Sequence, residues 1–301
     1  MKILVTGGAG FIGSNLIEFF LEKGHEVVCV DNESAQTNEK FYWNKSTTNY
    51  KLDICDKEKI FPLFKGVDCV FHLAAESRIG PCIEDPLKAV KTNVLGTTIL
   101  LECARKNNIK RFVYSSTSAC YGIKNSPPLT EDMPLDNLNP YSFTKISGEN
   151  MCEMYAKMYG METIILRYFN VYGKNQPLKG QYAPVVGIFM RQIKNNEPMT
   201  IVGDGEQRRD FINVKDIVKA NYLASNFKPK NNYEWGQIYN VGCGKNYSIN
   251  EISKMLGKDK IHIPPRIGEA RHTLADYKKI KNDLNWEPTI DLSDWINSNK
   301  K

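Results

Sequence analysis

The sequence has few cysteines and no closely spaced pair of them. Eight thiols are spread over 301 residues, and none of them forms a CxxC pair. A disulfide framework or a zinc cluster is therefore not expected, and we predict no metal site. Most of the cysteines lie in apolar runs, which is typical of small buried side chains. The thiols are expected to be reduced, as in a cytoplasmic protein.

The sequence also lacks long apolar runs and a strong excess of one charge. No stretch reaches the roughly 18 apolar residues of a membrane helix. Glycines interrupt the opening MKILVTGGAGFIG before the core of a signal peptide can form. We therefore expect a cytoplasmic protein with no membrane partner. The net charge is +6 and no basic block is present, which favours binding of a small anion over binding of nucleic acid.

What the sequence does contain is an alternation of two kinds of apolar segment. Short segments rich in β-branched residues predict buried parallel strands, and longer segments with helical spacing lie between them. This alternation predicts an α/β fold with a doubly wound parallel sheet of the Rossmann type. The predicted strands are Ile3–Thr6, Val27–Val30, Cys69–His72, Arg111–Ser115 and Thr163–Leu166, and the predicted helices are Phe11–Lys23, Pro86–Lys106 and Tyr141–Tyr159.

The pattern changes near residue 170. Glycine and proline become frequent and the segments become shorter and mixed, which predicts a smaller mixed α/β lobe for substrate binding over residues 171–301. Residues 1–170 form the predicted dinucleotide-binding domain. Residues 211–242 are expected to return to that domain, with a helix at Val214–Phe227 and a strand at Gln237–Val241.

A glycine-rich segment joins the first predicted strand to the first predicted helix. It contains Gly7, Gly10 and Gly13, and the helix begins at Phe11 and Ile12. Glycines at this spacing permit a tight turn and let a pyrophosphate approach the backbone. The helix N-terminus offers unpaired N–H groups and a partial positive charge to the same group. The segment therefore predicts a dinucleotide site.

An acid at the end of the second predicted strand indicates which dinucleotide binds. Asp31 lies 18 residues after Gly13, where a carboxylate can bind a ribose diol. This acid would repel a 2′-phosphate, and no lysine or arginine follows it until Lys40, so the pattern favours NAD over NADP. Asp53 and Ile54 follow the presumed third strand. Contact with the adenine edge and a plain turn are both open for this pair.

A second pattern carries the candidate catalytic groups. Tyr141 and Lys145 share one face of a predicted helix, and an ammonium there would lower the pKa of the phenol. Tyr141 then becomes a general base toward a substrate hydroxyl. The spacing alone is common on surface helices, but Thr117 follows the predicted strand Arg111–Ser115, where it can hydrogen-bond the same hydroxyl. Two roles are open for Asn93: support of Lys145 through water, or a satisfied buried amide.

Further segments extend this set. They are GGAGFIG at 7–13, Asp31-Asn32, Asp53, HLAA at 72–75, NVLGT at 93–97, SST at 115–117, Tyr141-x-x-x-Lys145, RYFN at 167–170, GDG at 203–205, RDF at 209–211 and Arg266-x-Gly268-Glu269. Over nearly the whole chain the sequence resembles the extended short-chain dehydrogenase/reductases of the sugar-nucleotide epimerase/dehydratase group. The resemblance implies a tightly held NAD, a nucleoside-diphosphate sugar as substrate and a homodimer. It also implies cofactor contacts from Asn32, Leu73, Ala74, Ala75, Asn93, Ser115 and Tyr168.

The same resemblance implies contacts to the sugar nucleotide. Arg209 and Arg266 match the phosphate-binding arginines of the family, and guanidinium groups suit phosphate oxygens. Surface salt bridges are the alternative for both. Asn170 matches a residue that contacts the diphosphate, and Glu269 matches one that contacts the ribose.

The residues after Thr117 discriminate between members of the family. Its 4,6-dehydratases resemble one another in carrying Asp-Glu there, for acid–base work at C5 and C6, whereas Ser118 and Ala119 cannot transfer those protons. The resemblance then implies reversible oxidation at one carbon, as in the UDP-sugar 4-epimerases. Tyr141 removes the proton of the C4 hydroxyl, Thr117 holds the oxygen, and the 4-keto sugar turns over before it is reduced again.

Three residues bear on the identity of the sugar. The resemblance implies that Thr273 occupies the position that limits the pocket around the C2 substituent of the sugar. Members of the family that accept N-acetylated sugars have a small residue there, so UDP-N-acetylglucosamine and UDP-N-acetylgalactosamine are candidates beside the UDP-hexoses. Another side chain filling that space is the alternative. Ser77 and Arg78 are expected to face the sugar. Arg78 can bind a carboxylate, which keeps UDP-glucuronate 4-epimerisation open, and another NAD-dependent dehydratase or reductase of nucleotide sugars is the wider alternative.

Overall fold

The structure of the protein is a computed structural model, which describes residues 1–35, 38–179, 183–229, 234–257, 259–265 and 270–299. Its strands are β1 (Lys2–Thr6), β2 (Glu26–Asp31), β3 (Thr48–Lys51), β4 (Cys69–His72), β5 (Arg111–Thr117), β6 (Glu162–Tyr168), β7 (Asn170–Tyr172), β8 (Met199–Val202), β9 (Arg208–Asn213), β10 (Gln237–Val241), β11 (Asn246–Ser248) and β12 (Lys260–Ile263). Its helices are α1 (Phe11–Glu22), α2 (Lys57–Ile60), α3 (Ile79–Glu84), α4 (Pro86–Val90), α5 (Thr97–Lys106), α6 (Pro140–Tyr159), α7 (Val185–Lys194), α8 (Val214–Asn226), α9 (Ile249–Leu256), α10 (Lys278–Leu284) and α11 (Leu292–Asn299).

Seven strands form one parallel sheet in the spatial order β3–β2–β1–β4–β5–β6–β10. Every strand predicted from an apolar run lies in this sheet, which confirms the prediction of a Rossmann-type fold. The strands β2 and β3 are added on one side of β1 and the later strands on the other. This reversal of strand order opens a crevice at the carboxyl ends of β1 and β4.

The sheet is buried on both faces. Along β1, Ile3 and Val5 pack on the face covered by α1 and α8, while Leu4 packs on the face covered by α5 and α6. This period of two is the geometry of a strand. Because helices cover both faces, the apolar side chains on each face leave water, which explains why the strands read as continuous apolar runs.

The smaller lobe contains two short sheets, ordered β11–β9–β7 and β12–β8. They pack with α7, α9 and α11 around a separate apolar core that includes Phe189, Ile201 and Ile252. Strand β10 returns to the main sheet beside β6, and α8 covers that sheet with α1. The expected return at residue 211 begins inside β9, which belongs to the smaller lobe.

Two local features differ from the predictions. The single long helix predicted over Pro86–Lys106 is α4 and α5 joined by a π-helical turn at Lys91–Gly96. Strand β3 ends at Lys51, two residues before Asp53. Within the described residues, no helix is long and apolar enough to cross a membrane. The same residues contain no group of three or more His, Cys, Asp or Glu side chains that could hold a metal ion.

Candidate active site

A cavity of about 750 Å³ opens at the carboxyl ends of the central strands. Its wall comes from the loops after β1, β2, β4 and β5, from α6 and from the smaller lobe. Most of the residues predicted to bind cofactor or substrate meet there. Those that line the cavity are Gly7, Phe11, Ile12, Gly13, Asp31, Asn32, Ile54, Leu73, Ala74, Ala75, Ser77, Arg78, Ser115, Thr117, Tyr141, Lys145, Tyr168, Asn170, Arg209 and Thr273.

The glycine loop brings the start of α1 close to β4. Gly7 has a φ of +69°, which side chains disfavour, and a Cβ atom there would lie 2.7 Å from the backbone nitrogen of Ala74. A Cβ atom on Gly13 would lie 2.2 Å from the carbonyl oxygen of Gly7. Gly10 is the N-cap of α1 and supplies no side-chain cap. Among the described residues no side chain caps α1, so its first N–H groups suit a pyrophosphate.

The carboxylate of Asp31 lies at the end of β2 beside this loop. Its Oδ2 accepts the N–H of Ala9 at 3.1 Å and its Oδ1 accepts the N–H of Glu33 at 2.8 Å. Burial raises the pKa of Asp31, while the two backbone hydrogen bonds lower it. A half-enclosed carboxylate next to an uncapped helix N-terminus fits the ribose and pyrophosphate of NAD.

Asp53 lies in the turn that precedes α2. Its Oδ1 accepts the N–H of Cys55 at 2.8 Å. Among the described residues, Ile54 lines the cavity and Asp53 does not. The structure therefore shows a turn at Asp53 after β3 has ended at Lys51, and contact of Asp53 with the adenine edge stays a prediction.

Hydrogen bonds fix the polar groups at the ends of β4, β5 and β6. The hydroxyls of Ser115 and Tyr168 lie 3.0 Å apart on the cavity wall. His72 is buried between Thr6 and Thr97, whose hydroxyls lie 2.8 and 2.9 Å from its two ring nitrogens. Burial lowers the pKa of His72 well below its usual value, so the imidazole is neutral and structural.

Thr117 and Tyr141 meet at the cavity. The Thr117 hydroxyl accepts the N–H of Ala119 at 3.1 Å and is near enough to the Tyr141 phenol to lower its pKa. Asn139 caps α6 by accepting the N–H of Ser142, so the first turn of the helix that carries Tyr141 is fixed. Burial has the larger effect and raises the pKa of Tyr141 to about 12.

Lys145 follows one turn later on α6. Its ammonium lies 4.2 Å from the centroid of the Tyr114 ring, and burial lowers its pKa to about 8. Arg78, in the loop after β4, is a cation that lowers the pKa of Tyr141. The effect of Lys145 on Tyr141, expected from helix spacing, stays a prediction. Residues i and i+4 share a face, but the element packed on that face determines where each side chain points.

Asn93 is a satisfied buried amide. Its Oδ1 accepts the N–H of Glu76 at 2.8 Å, and its Nδ2 donates to the carbonyl oxygen of Glu76 at 3.0 Å and to Thr144 Oγ1 at 2.9 Å. Neither Asn93 nor Gly10 is among the described residues that line the cavity. The amide of Asn93 therefore holds the loop that carries Arg78, and its contact with the cofactor stays a prediction.

The smaller lobe contributes the predicted phosphate-binding side chains. Asn170 Nδ2 donates to the carbonyl oxygen of Asp210 at 3.2 Å. Arg209 Nη1 donates to the carbonyl oxygens of Arg208 and Arg271 at 3.1 and 3.3 Å. Asn170 and Arg209 both line the cavity. The two other predicted contacts, Arg266 and Glu269, lie outside the described residues.

Thr273 is held against the same lobe by β9. Its Oγ1 accepts the N–H of Asp210 at 3.3 Å, and the side chain is buried on the cavity wall. The Asp210 carboxylate accepts the N–H groups of Cys243, Gly244 and Ala275 at 2.7, 2.9 and 3.0 Å. Asp210 thereby ties three chain segments together directly behind Thr273.

Sequence reasoning missed the apolar wall of the cavity. Val185, Val186 and Ile188 of α7 and Phe211 of β9 line it. The available signal was the apolar face of the 185–194 segment. That periodicity indicates an amphipathic helix, but it does not tell which apolar side chains face a ligand and which face the core.

Comparisons with known proteins agree with this geometry. A family model described as the NAD dependent epimerase/dehydratase family matches residues 3–242. A putative UDP-glucose 4-epimerase of Methanocaldococcus jannaschii is 39% identical, covering 98% of this chain and 95% of the relative. A UDP-glucuronate 4-epimerase of Thermodesulfobacterium geofontis is 35% identical, covering 97% of this chain and 93% of the relative.

Solved structures of similar proteins have the same fold. The UDP-glucose 4-epimerase of Thermotoga maritima with UDP-glucose has a TM-score of 0.90 at 37% identity, covering 97% of this chain and 95% of that one. The UDP-N-acetylglucosamine 4-epimerase of Methanobrevibacter ruminantium with UDP-N-acetylmuramic acid has a TM-score of 0.88 at 32% identity, covering 99% and 98%. The chain therefore belongs to the NAD-dependent epimerase/dehydratase family.

Proposed function

We propose that the protein is an NAD-dependent 4-epimerase of UDP-sugars. The observation that carries this proposal is the meeting of Thr117 and Tyr141 in one cavity, next to the glycine loop of an NAD site. Ser118 and Ala119 follow Thr117 and offer no proton-transfer group for elimination. The names of the similar proteins point to the same reaction.

The cofactor would lie along the first half of the chain. The N-terminus of α1 would hold its pyrophosphate and Asp31 a ribose diol, with Ala74, Ser115 and Tyr168 along the cavity wall. When bound, NAD accepts a hydride from the sugar carbon and later returns one. We assign residues 1–170, with 211–242, to this half, and residues 171–301 to the sugar nucleotide.

Tyr141 moves the proton in this scheme. Its phenolate takes the proton of the C4 hydroxyl, and Thr117 donates a hydrogen bond to the oxygen left behind. The 4-keto sugar then turns about its diphosphate linkage, and Tyr141 returns the proton to C4 oxygen on the other face. Since burial raises the pKa of Tyr141 to about 12 in the protein alone, positive charge nearby is needed for this base to act at neutral pH.

The diphosphate must be held while the sugar turns. Arg209 and Asn170 lie on the cavity wall in the smaller lobe and present a guanidinium and an amide. The proposed contacts of Arg266 to phosphate and of Glu269 to ribose complete the set on sequence grounds. We further propose that Thr273, buried on the wall and short, leaves room for an N-acetyl group at C2.

The proposal extends to a homodimer. Leu87, Leu95 and Phe143 are large apolar side chains exposed by 82%, 50% and 48%, and they lie on α4, the π-helical turn and α6, which pack against one another. A second copy covering this face would bury them. Leu95→Glu with Phe143→Glu is expected to give monomers by light scattering, whereas Ile261→Glu, at an exposed apolar residue of the smaller lobe, should not. A dimer that survives the first pair contradicts this surface.

Incubation with individual UDP-sugars, without added NAD, tests the reaction. We expect interconversion of at least one gluco/galacto pair by NMR, with no lasting keto product. Tyr141→Phe should lower kcat about 10³-fold, while Tyr159→Phe on the same helix serves as the matched control. A preparation with bound NAD that interconverts no pair, or that accumulates a 4-keto product, contradicts the proposal.

A further inference from the structure

Arg78 places a positive charge in the cavity beside the reacting groups. It is the N-cap residue of α3, in extended conformation, and it lines the same cavity as Thr117 and Tyr141. Its charge lowers the pKa of Tyr141. Arg78 therefore lies in the same part of the wall as the two groups that the proposed function places around the C4 hydroxyl.

The guanidinium of Arg78 has no anionic partner within the part of the chain that the structure describes. Its Nε is buried without a hydrogen-bond acceptor. The neighbouring acid Glu76 is already ion-paired with Lys88, with 2.8 Å between Nζ and Oε1. Burial lowers the pKa of Arg78. An arginine cannot deprotonate in practice, so the unpaired charge carries a desolvation cost.

The loop that carries Arg78 is fixed from both sides. Asn93 holds the N–H and the carbonyl oxygen of Glu76 at 2.8 and 3.0 Å. The carbonyl oxygen of Arg78 accepts the N–H of Cys82 at 3.2 Å. Because its backbone is held in this way, Arg78 cannot relieve its charge by moving the loop into solvent. The protein keeps a cation in the wall of a sugar pocket.

We propose that Arg78 binds a carboxylate on the sugar ring, so that the protein selects UDP-sugars with an acidic sugar over neutral ones. This rests on the proposed function, since it takes C4 to lie between Thr117 and Tyr141. In a hexuronate the carboxylate carbon is C6, two bonds from C4. A guanidinium beside the C4 site is therefore within reach of that group, and its planar fork matches a carboxylate.

The substituent at C2 of the sugar does not affect the assignment of Arg78 to a carboxylate at C5. Thr273 lies on the smaller lobe and Arg78 on the loop after β4. An N-acetyl group at C2 and a carboxylate at C5 therefore use different parts of the wall. A neutral hydroxymethyl group at C5 would leave the partly buried charge of Arg78 unpaired, which is the origin of the expected discrimination.

Binding measurements on NAD-loaded protein test the proposal without depending on turnover. In a Tyr141→Phe background, calorimetry with UDP-glucuronate and UDP-glucose should give at least tenfold tighter binding of the acidic sugar. Arg78→Met should remove this preference and Arg78→Lys should keep part of it. Arg271→Met removes an exposed arginine that pairs with Asp204, and it should leave the ratio unchanged.

The outcomes separate this inference from the proposed function. Equal affinity for the two sugars, tighter binding of UDP-glucose, or a ratio unaffected by both Arg78 variants overturns it. A strong preference for UDP-glucuronate that depends on Arg78, in a protein that epimerises no UDP-sugar, overturns the proposed reaction and leaves the carboxylate site standing. Because the ratio compares two ligands on one protein, partial loss of folding in a variant does not imitate a loss of preference.

Discussion

The amide of Asn93 holds both backbone polar groups of Glu76. The two hydrogen bonds are 2.8 and 3.0 Å long, and the amide is almost fully buried in the π-helical turn between α4 and α5. A π-helical turn contains one extra residue, which moves a side chain off the face that it would occupy in a regular α-helix. Such turns are frequent at functional sites. In this turn, Asn93 connects the helical segment formed by α4 and α5 to the loop that carries Ser77 and Arg78.

Replacing Asn93 by alanine tests this relationship. The N–H and the carbonyl oxygen of Glu76 would lose their partners inside the protein, which should destabilise the fold by about 2 kcal/mol. Because the loop faces the sugar, KM for the UDP-sugar should rise more than the dissociation constant of NAD. Urea denaturation, steady-state kinetics and NAD titration measure the three quantities. A selective loss of NAD affinity would instead support the direct cofactor contact that the family resemblance implied.

The main sheet and the glycine loop are predictable from the sequence because each depends on local pattern. An apolar strand such as β1, followed by glycines spaced as at positions 7, 10 and 13, predicts a strand, a tight turn and a helix in any parallel sheet. The directions of Lys145 and Arg78 are not predictable in this way. Lys145 lies over the ring of Tyr114 in β5, and Arg78 acts on the pKa of Tyr141, 63 residues later in the chain. Such contacts depend on tertiary packing, which no local spacing encodes.

The same reasoning applies to the presumed third strand. Strand ends are the least reliable part of a prediction from sequence. Strand β3 is short and largely exposed, so its burial pattern gives little signal for its end at Lys51. Ile54 lines the cavity, while the adenine contact of Asp53 and Ile54 stays a prediction.

The lowered pKa of Lys145 predicts a pH dependence of stability. Burial lowers this pKa from 10.5 to about 8 in the folded protein. Between those values the unfolded chain holds the proton and the folded protein does not, so the free energy of unfolding contributed by Lys145 rises with pH. From pH 7.5 to 9.5 the wild type should gain about 2 kcal/mol relative to Lys145→Met. Urea denaturation of the cofactor-free proteins measures this gap, and a constant gap contradicts the shift.

The position of Asp31 predicts a change in cofactor preference. Asp31→Asn keeps an oxygen for one backbone N–H but removes the negative charge beside the ribose site. NAD should bind more weakly, and the repulsion of a 2′-phosphate should disappear. The ratio of NADP to NAD dissociation constants should therefore fall by at least about tenfold, which is about 1.4 kcal/mol. Fluorescence titration with both dinucleotides measures the ratio, and an unchanged ratio would place the ribose elsewhere.

A buried ion pair supports the helix that carries Tyr141 and Lys145. Arg167 Nε and Nη2 donate to the Glu149 carboxylate at 2.8 and 2.7 Å, and both side chains are 1% exposed. Glu149 lies one turn after Lys145 on α6 and also accepts a hydrogen bond from Ser116, beside Thr117. Removing one partner leaves a buried charge, so Arg167→Met should destabilise the protein by about 3–5 kcal/mol.

The double variant distinguishes an ion pair from two separate packing roles. Arg167→Met with Glu149→Leu removes both charges and replaces them with apolar side chains, so it should be more stable than Arg167→Met alone. The coupling energy from a double-mutant cycle should exceed about 1 kcal/mol, because the two residues are in direct contact. Additive losses in urea denaturation would show that the pair contributes nothing as a pair. Turnover should likewise be higher in the double variant than in Arg167→Met alone, since the charge left on Glu149 in the single variant acts on the turn that carries Lys145.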